Sequence, residues 1–150
     1  MAILRDRPYA NSNFLVDFGN GKVRAVTAGF SEVIFPEFVI AGDEQSAAAR
    51  AEQLHADSVC SRQNNHLVLK RGVIGSLDLY DWWNKTRRGK APKRRILKIQ
   101  LLSEDHDTIV LTWRFYNVRP VTLAYSPLRA NESGIVIETL ELAFDRMEMQ

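Results

Sequence analysis

Alternation of apolar and polar side chains dominates the second half of the chain. Across residues 108–116, Ile109, Leu111, Trp113 and Phe115 fall on one side and Thr108, Thr112 and Arg114 on the other. That two-residue period is the mark of a half-buried strand. Residues 95–102 place Leu97, Ile99 and Leu101 on one face, after which 103–107 form a polar turn. Pro120 and Pro127 bracket an irregular connection. Residues 135–149 read as one long final strand, with Val136, Leu140, Leu142 and Phe144 on one face and Thr139, Glu141 and Asp145 on the other. Towards the N-terminus, 13–18 and 66–70 read as strands. Asn20-Gly21 is a hairpin signal that predicts a return strand over 23–28, which Gly29 ends.

The period changes once. Ser76 is a predicted N-cap for a helix over 77–88, and Gly89 is a natural stop. Asp78 and Asp81 lie near its start and Lys85, Arg87 and Arg88 near its end, the order that complements the helix dipole. Leu79, Tyr80, Trp82 and Trp83 supply its apolar anchors. Adjacent helix positions lie about 100° apart, so Trp82 and Trp83 are expected to be buried unequally. Residues 44–56 are also rich in helix formers, but their apolar stripe is mostly alanine and offers little to packing. The sum is a mainly β domain with one clear helix after a central strand, and short antiparallel strands joined by tight turns suggest a sandwich or small barrel.

With 150 residues, one domain over 1–150 is expected, and a chain of this size buries roughly 68–70% of its unfolded surface. The net charge of +2 provides no global field towards nucleic acid or membrane. Cys60 is the single cysteine, so no intrachain disulfide forms, which fits assembly in a reducing cytoplasm. No signal peptide is evident, and no apolar run approaches the roughly 20 residues of a membrane span.

Catalytic and metal chemistry find no constellation. His55, His66 and His106 lack metal-site spacing, and "SEDHD" (103–107) reads as a solvated turn rather than a cation loop. "GVIGS" (72–76) precedes a helix as a phosphate loop does, but it lacks the loop lysine. No nucleophile, metal or cofactor site is therefore assigned. The remaining feature is a basic run, Lys85, Arg87, Arg88, Lys90, Lys93, Arg94 and Arg95. Its neighbouring aromatics stand at helical spacing and read as core, which favours a structural or protein-contact role over nucleic-acid binding.

Taken in order, several segments resemble the inner tail-tube family of contractile phage tails and related injection systems. They are "RPYANSNFLVDF", "AGFSEV", "LKRGVIGSLDLYDWWNKTRRGK", "WRFYNVRPV" and "GIVIETLELAFDRME". The resemblance implies a fold of two packed antiparallel sheets with one flanking helix, and a structural subunit that forms hexameric rings stacked into a hollow tube. It implies a sheath protein outside, baseplate, spike and terminator proteins at the ends, and DNA or protein cargo in the lumen. It places the protein in a virion tail or an injection particle. It also implies an inter-subunit arm over 35–65, with Phe35, Phe38, Ile40, Leu54 and Val59 as its apolar contacts. Here the arm is Ala-rich rather than acidic and Gly/Pro-containing, which keeps open a tube-initiating or baseplate ring of the same machine. A small β-rich nucleic-acid-binding module is the third reading.

Overall fold

The computed structural model describes residues 2–19, 29–38, 66–90 and 95–150. The predicted Asn20-Gly21 turn, the return strand over 23–28 and the helix-forming segment 44–56 lie outside the described residues. In chain order the elements are β1 (Phe14–Asp17), β2 (Glu32–Ile34), β3 (Leu67–Gly72), α1 (Asp78–Arg87), β4 (Arg95–Leu102), β5 (Ile109–Tyr125), β6 (Ile137–Ala143) and β7 (Arg146–Met149). The strands pair antiparallel in the order β1-β4-β5-β6-β3-β2, and β7 also pairs with β5.

Among the described residues the expected two separate sheets are instead one connected seven-stranded sheet, because β5 belongs to both halves. Its first part pairs with β4 and β7, and its second part pairs with β6. Three irregularities let a strand of 17 residues do this. Near its start β5 moves from Ile109 to Leu111 while β4 moves only from Leu102 to Leu101. Further on it moves from Phe115 to Val118 while β4 moves from Leu97 to Arg95. Against β6 it moves from Pro120 to Thr122 while its partner moves from Leu142 to Glu141. Each extra residue bends the strand and switches which side chains face inward. Hence Val110 rather than Ile109 is buried, then Phe115, then Val118 and Pro120. Leu102 is likewise buried and Leu101 only half-buried, contrary to the simple alternation. Asn117 takes a left-handed φ of 54°, a conformation Asn tolerates better than most residues.

The predicted end of this strand at Tyr116 is therefore nine residues short of the observed end at Tyr125. Pro120 does not break β5: it sits at a bulge beyond the last β4 pair, where a missing N–H is tolerated. The predicted long final strand is interrupted at Phe144 and Asp145. Tyr116 faces Arg146 and Arg119 faces Ala143, so the register is unchanged across the gap. Asp145 bridges it. Its N–H donates to the Tyr116 carbonyl at 3.0 Å, and its carboxylate accepts from Asn117 Nδ2 at 2.7 Å and Arg119 Nη1 at 3.0 Å.

One core joins both halves. It includes Val16 of β1, Leu67 and Leu69 of β3, Leu97 and Ile99 of β4, Phe115 and Val118 of β5, Leu140 and Leu142 of β6, and Phe144. Leu79 and Trp82 of α1 complete it. The helix begins one residue later than predicted. Leu77, not Ser76, is its N-cap and makes no side-chain capping bond. Gly89, with φ of 69°, stops it as expected. Trp82 is 2% exposed, with the Phe18 ring 5.5 Å away, edge to face. Trp83 is half-buried, and its indole N–H donates to the Val121 carbonyl at 3.3 Å. Trp82→Ala is therefore expected to cost about 3–5 kcal/mol of stability, a core-cavity loss. Trp83→Ala is expected to cost no more than about half as much. Urea unfolding of the two variants checks the difference, and equal losses contradict it.

Candidate functional site

The sheet and helix meet at a buried ion cluster. Arg71 lies on β3 in phase with Leu67 and Leu69, and Glu138 lies on β6 in phase with Leu140 and Leu142. The two are register partners, 1% and 4% exposed, and the Arg71 Nε donates to the Glu138 carboxylate. Arg71 also donates to Asp78, the first residue of α1, at 2.6 Å and 3.3 Å. Burial by itself would lower the Arg71 pKa; the hydrogen bonds and charges of Asp78 and Glu138 outweigh it and raise it. For Asp78, burial works upward, but hydrogen bonds from Arg71 and Ser76, then the Arg71 charge, hold it below the usual carboxylate value. Tyr125 faces Glu138 from β5, and burial, followed by the Glu138 charge, pushes its phenol up. The cluster thus ties three strands to the helix N-terminus.

Sequence reasoning missed Arg71 and Glu138, and it read Asp78 only as an acid at the helix start. The signal was present: each strand carries one charge of opposite sign at an apolar phase position. Only the pairing of β3 with β6 shows that these two charges meet.

Above this cluster lies an apolar rim. Val73 donates its N–H to the Val136 carbonyl at 2.8 Å, which brings the 73–77 loop beside the start of β6. Ile74 is 49%, Leu77 65% and Ile135 78% exposed. The four predicted helix anchors divide: Leu79 and Trp82 are buried, Trp83 is half-buried and Tyr80 is exposed, so Tyr80 belongs to the surface rather than to the core. Of the arm residues, Phe35 packs its ring 4.9 Å from Trp113, and Phe38 is exposed. Ile40, Leu54 and Val59 lie outside the described residues.

Of the basic run, Lys85, Arg87, Arg88 and Lys90 are exposed at the end of α1. Arg95 is half-buried at the start of β4, its guanidinium 4.4 Å from the Trp82 ring centroid. Burial lowers its pKa, opposed by the charge of Asp78. The structure therefore sets Arg95 apart from the other four. Lys93 and Arg94 lie outside the described residues. At the far end of β4, Asp105 accepts from the Ser103 hydroxyl and from the N–H groups of Asp107 and Thr108. These bonds hold its pKa down to about 2. Among the described residues no group of three or more His, Cys, Asp or Glu could hold a metal ion, and no helix is long and apolar enough to cross a membrane. The arrangement among the described residues offers surfaces for contact.

The family model for T4-like virus tail tube protein gp19 matches residues 10–148. No curated protein matches the chain. Among solved structures, the anti-feeding prophage tube-terminating cap is 18% identical with a TM-score of 0.70, over 100% of this chain and 95% of that one. The sheath/tube terminator of the extracellular contractile injection system PVC is 19% identical with a TM-score of 0.70, over 97% of this chain and 98% of that one. A chain of the PVC sheath-tube complex is 18% identical with a TM-score of 0.64, over 97% of this chain and 93% of that one. At these identities the likeness establishes the fold.

The ion cluster generates an asymmetric expectation. Arg71→Met strands Glu138 as a buried charge and is expected to cost about 3–5 kcal/mol. Arg71→Met with Glu138→Leu is expected to recover most of that loss. Asp78→Asn, at a half-exposed carboxylate, is expected to cost about 1 kcal/mol or less. Because the folded-state pKa of Asp78 is depressed, its contribution is full above about pH 4 and is lost as pH falls through the depressed value. Asp78→Asn therefore flattens the acid limb of stability. Urea midpoints measured between neutral and acid pH check both statements.

Proposed function

Since the chain belongs to the T4-like virus tail tube protein family, we propose that it is the structural subunit of a contractile tail's or injection particle's inner tube, its copies closing into hexameric rings that stack around a lumen. The observation that carries the assembly reading is the rim formed by Val73, Ile74, Leu77 and Ile135. Large side chains grouped at one end of a sheet are a contact surface rather than a solvated one. β1 and β2 add to it: among the described residues each pairs on one side only, and free strand edges invite pairing with another chain. A closing rotation between copies gives a ring, and a translation between rings gives a tube. The outside of such a tube meets a sheath, and its ends meet terminator and baseplate rings. DNA or protein cargo passes through the lumen without chemistry by this chain. Assembly takes place in the bacterial cytoplasm before the particle is released.

Ile74→Asp and Ile135→Asp test this reading, since both side chains are exposed and neither belongs to the core. Each variant is expected to keep the wild-type melting behaviour while its assembly weakens by roughly tenfold or more, the loss of about one buried apolar contact. Sedimentation velocity of the purified protein over a concentration series reads the shift. Wild-type assembly by both variants contradicts the proposed use of this rim.

A further inference from the structure

The basic end of α1 and the acidic turn between β4 and β5 are two surfaces that the tube reading does not by itself use. Lys85, Arg87, Arg88 and Lys90 are exposed, and among the described residues none of them pairs with a carboxylate. Arg87 donates only to the Asn84 side chain, at 2.9 Å, and lies 5.6 Å from the Trp83 ring. Arg95, at the start of β4, lies against Trp82 in the middle of α1, five residues before Arg87. The acidic turn stands at the other end of the same strand, where Leu102 pairs with Ile109. From Arg95 to Leu102 β4 takes seven steps and spans about 24 Å, at roughly 3.4 Å per step.

Within the turn, Glu104 is already matched by Arg5 at 3.2 Å. Asp105 and Asp107 are exposed, and neither forms an ion pair among the described residues. The hydrogen bonds that shape the turn keep Asp105 ionised at neutral and mildly acid pH. The two surfaces are thus opposite in charge, and among the described residues no ion pair joins them within one chain.

We propose that the basic end of α1 receives the Asp105–Asp107 side of the acidic turn from a second copy of this chain, so that an ionic contact sets the direction in which copies join. The inference rests on the tube reading and adds polarity to it. In a ring that closes by more than a two-fold, as the tube reading requires, each copy gives its acidic turn to one neighbour and receives another's on its basic helix end, so the contact is head-to-tail. Such a contact contributes orientation and speed of encounter more than affinity. The apolar rim then holds what the charges have aligned. Nucleic acid is the less favoured occupant: Trp82 is buried and Trp83 is bonded to Val121, so the helix end lacks free aromatic platforms for bases.

Charge exchange in the full chain tests the contact. One variant carries Lys85→Glu and Arg88→Glu. A second carries Asp105→Asn, which keeps an acceptor for the turn, and Asp107→Lys. A third carries all four changes. The critical concentration for assembly is measured by sedimentation and electron microscopy at about 50 mM and about 500 mM salt, where screening differs several-fold in range. For the wild type it is expected to rise with salt. Either two-residue variant is expected to raise it by about tenfold at low salt, and the combined variant to restore it to within about threefold. Two-residue variants that assemble as wild type overturn the contact, as does a combined variant that fails to recover. Unchanged assembly together with loss of oligonucleotide retention by the Lys85→Glu, Arg88→Glu variant overturns it in favour of nucleic acid. A folded wild type that assembles at no salt concentration overturns the tube reading itself, and this contact with it.

Discussion

The structure depends on one strand lying in two environments at once. β5 is 17 residues long and must pair with β4 and β7 at one end and β6 at the other. A straight strand of that length would lay its partners out flat and leave two small apolar faces. Extra residues at three places bend it, and Asn117 takes a left-handed turn within it. As a result Val16 and Ile99 from one half join Leu69 and Leu140 from the other in a single core. The helix has a hollow to fill only because of that bend.

Apolar burial and the ion cluster contribute differently. Each large core side chain is worth about 1.5–3 kcal/mol on burial, and ten or more of them outweigh any ion pair. A buried Arg–Glu pair roughly breaks even against an apolar pair of the same shape. What Arg71 adds is geometry: it joins Glu138 on β6 to Asp78 at the start of α1, so the helix enters at one angle and register. That angle presents Ile74 and Leu77 outward on the loop before the helix, where a neighbour can reach them. The cluster thereby links the interior of the subunit to its outer surface.

The strands at 95–102 and 108–116, the charge order of α1 and the unequal Trp pair were legible in the sequence, because each depends on neighbours within a turn or two. The bulges were not, since an extra residue in β5 has meaning only against β4 or β6. They moved the buried position from Ile109 to Val110 and carried β5 past Pro120. Glu138 shows the same limit in the candidate site. Its parity with Leu140 and Leu142 could be read along the chain, but its partner Arg71 lies 67 residues earlier. The continuous register from β6 into β7 shows the converse: the long final strand was read nearly correctly, and only the Asp145 bridge, made with Tyr116, Asn117 and Arg119, interrupts it.

A subunit whose exposed apolar side chains and one-sided edge strands lie outside a well-filled core is built to be completed by its own copies. Electron microscopy of the purified full chain, concentrated at low ionic strength, tests that claim most directly. Closed rings stacked into hollow tubes of uniform diameter are the expected result. A folded chain that stays monomeric at every concentration, with circular dichroism showing its strands intact, would contradict the account.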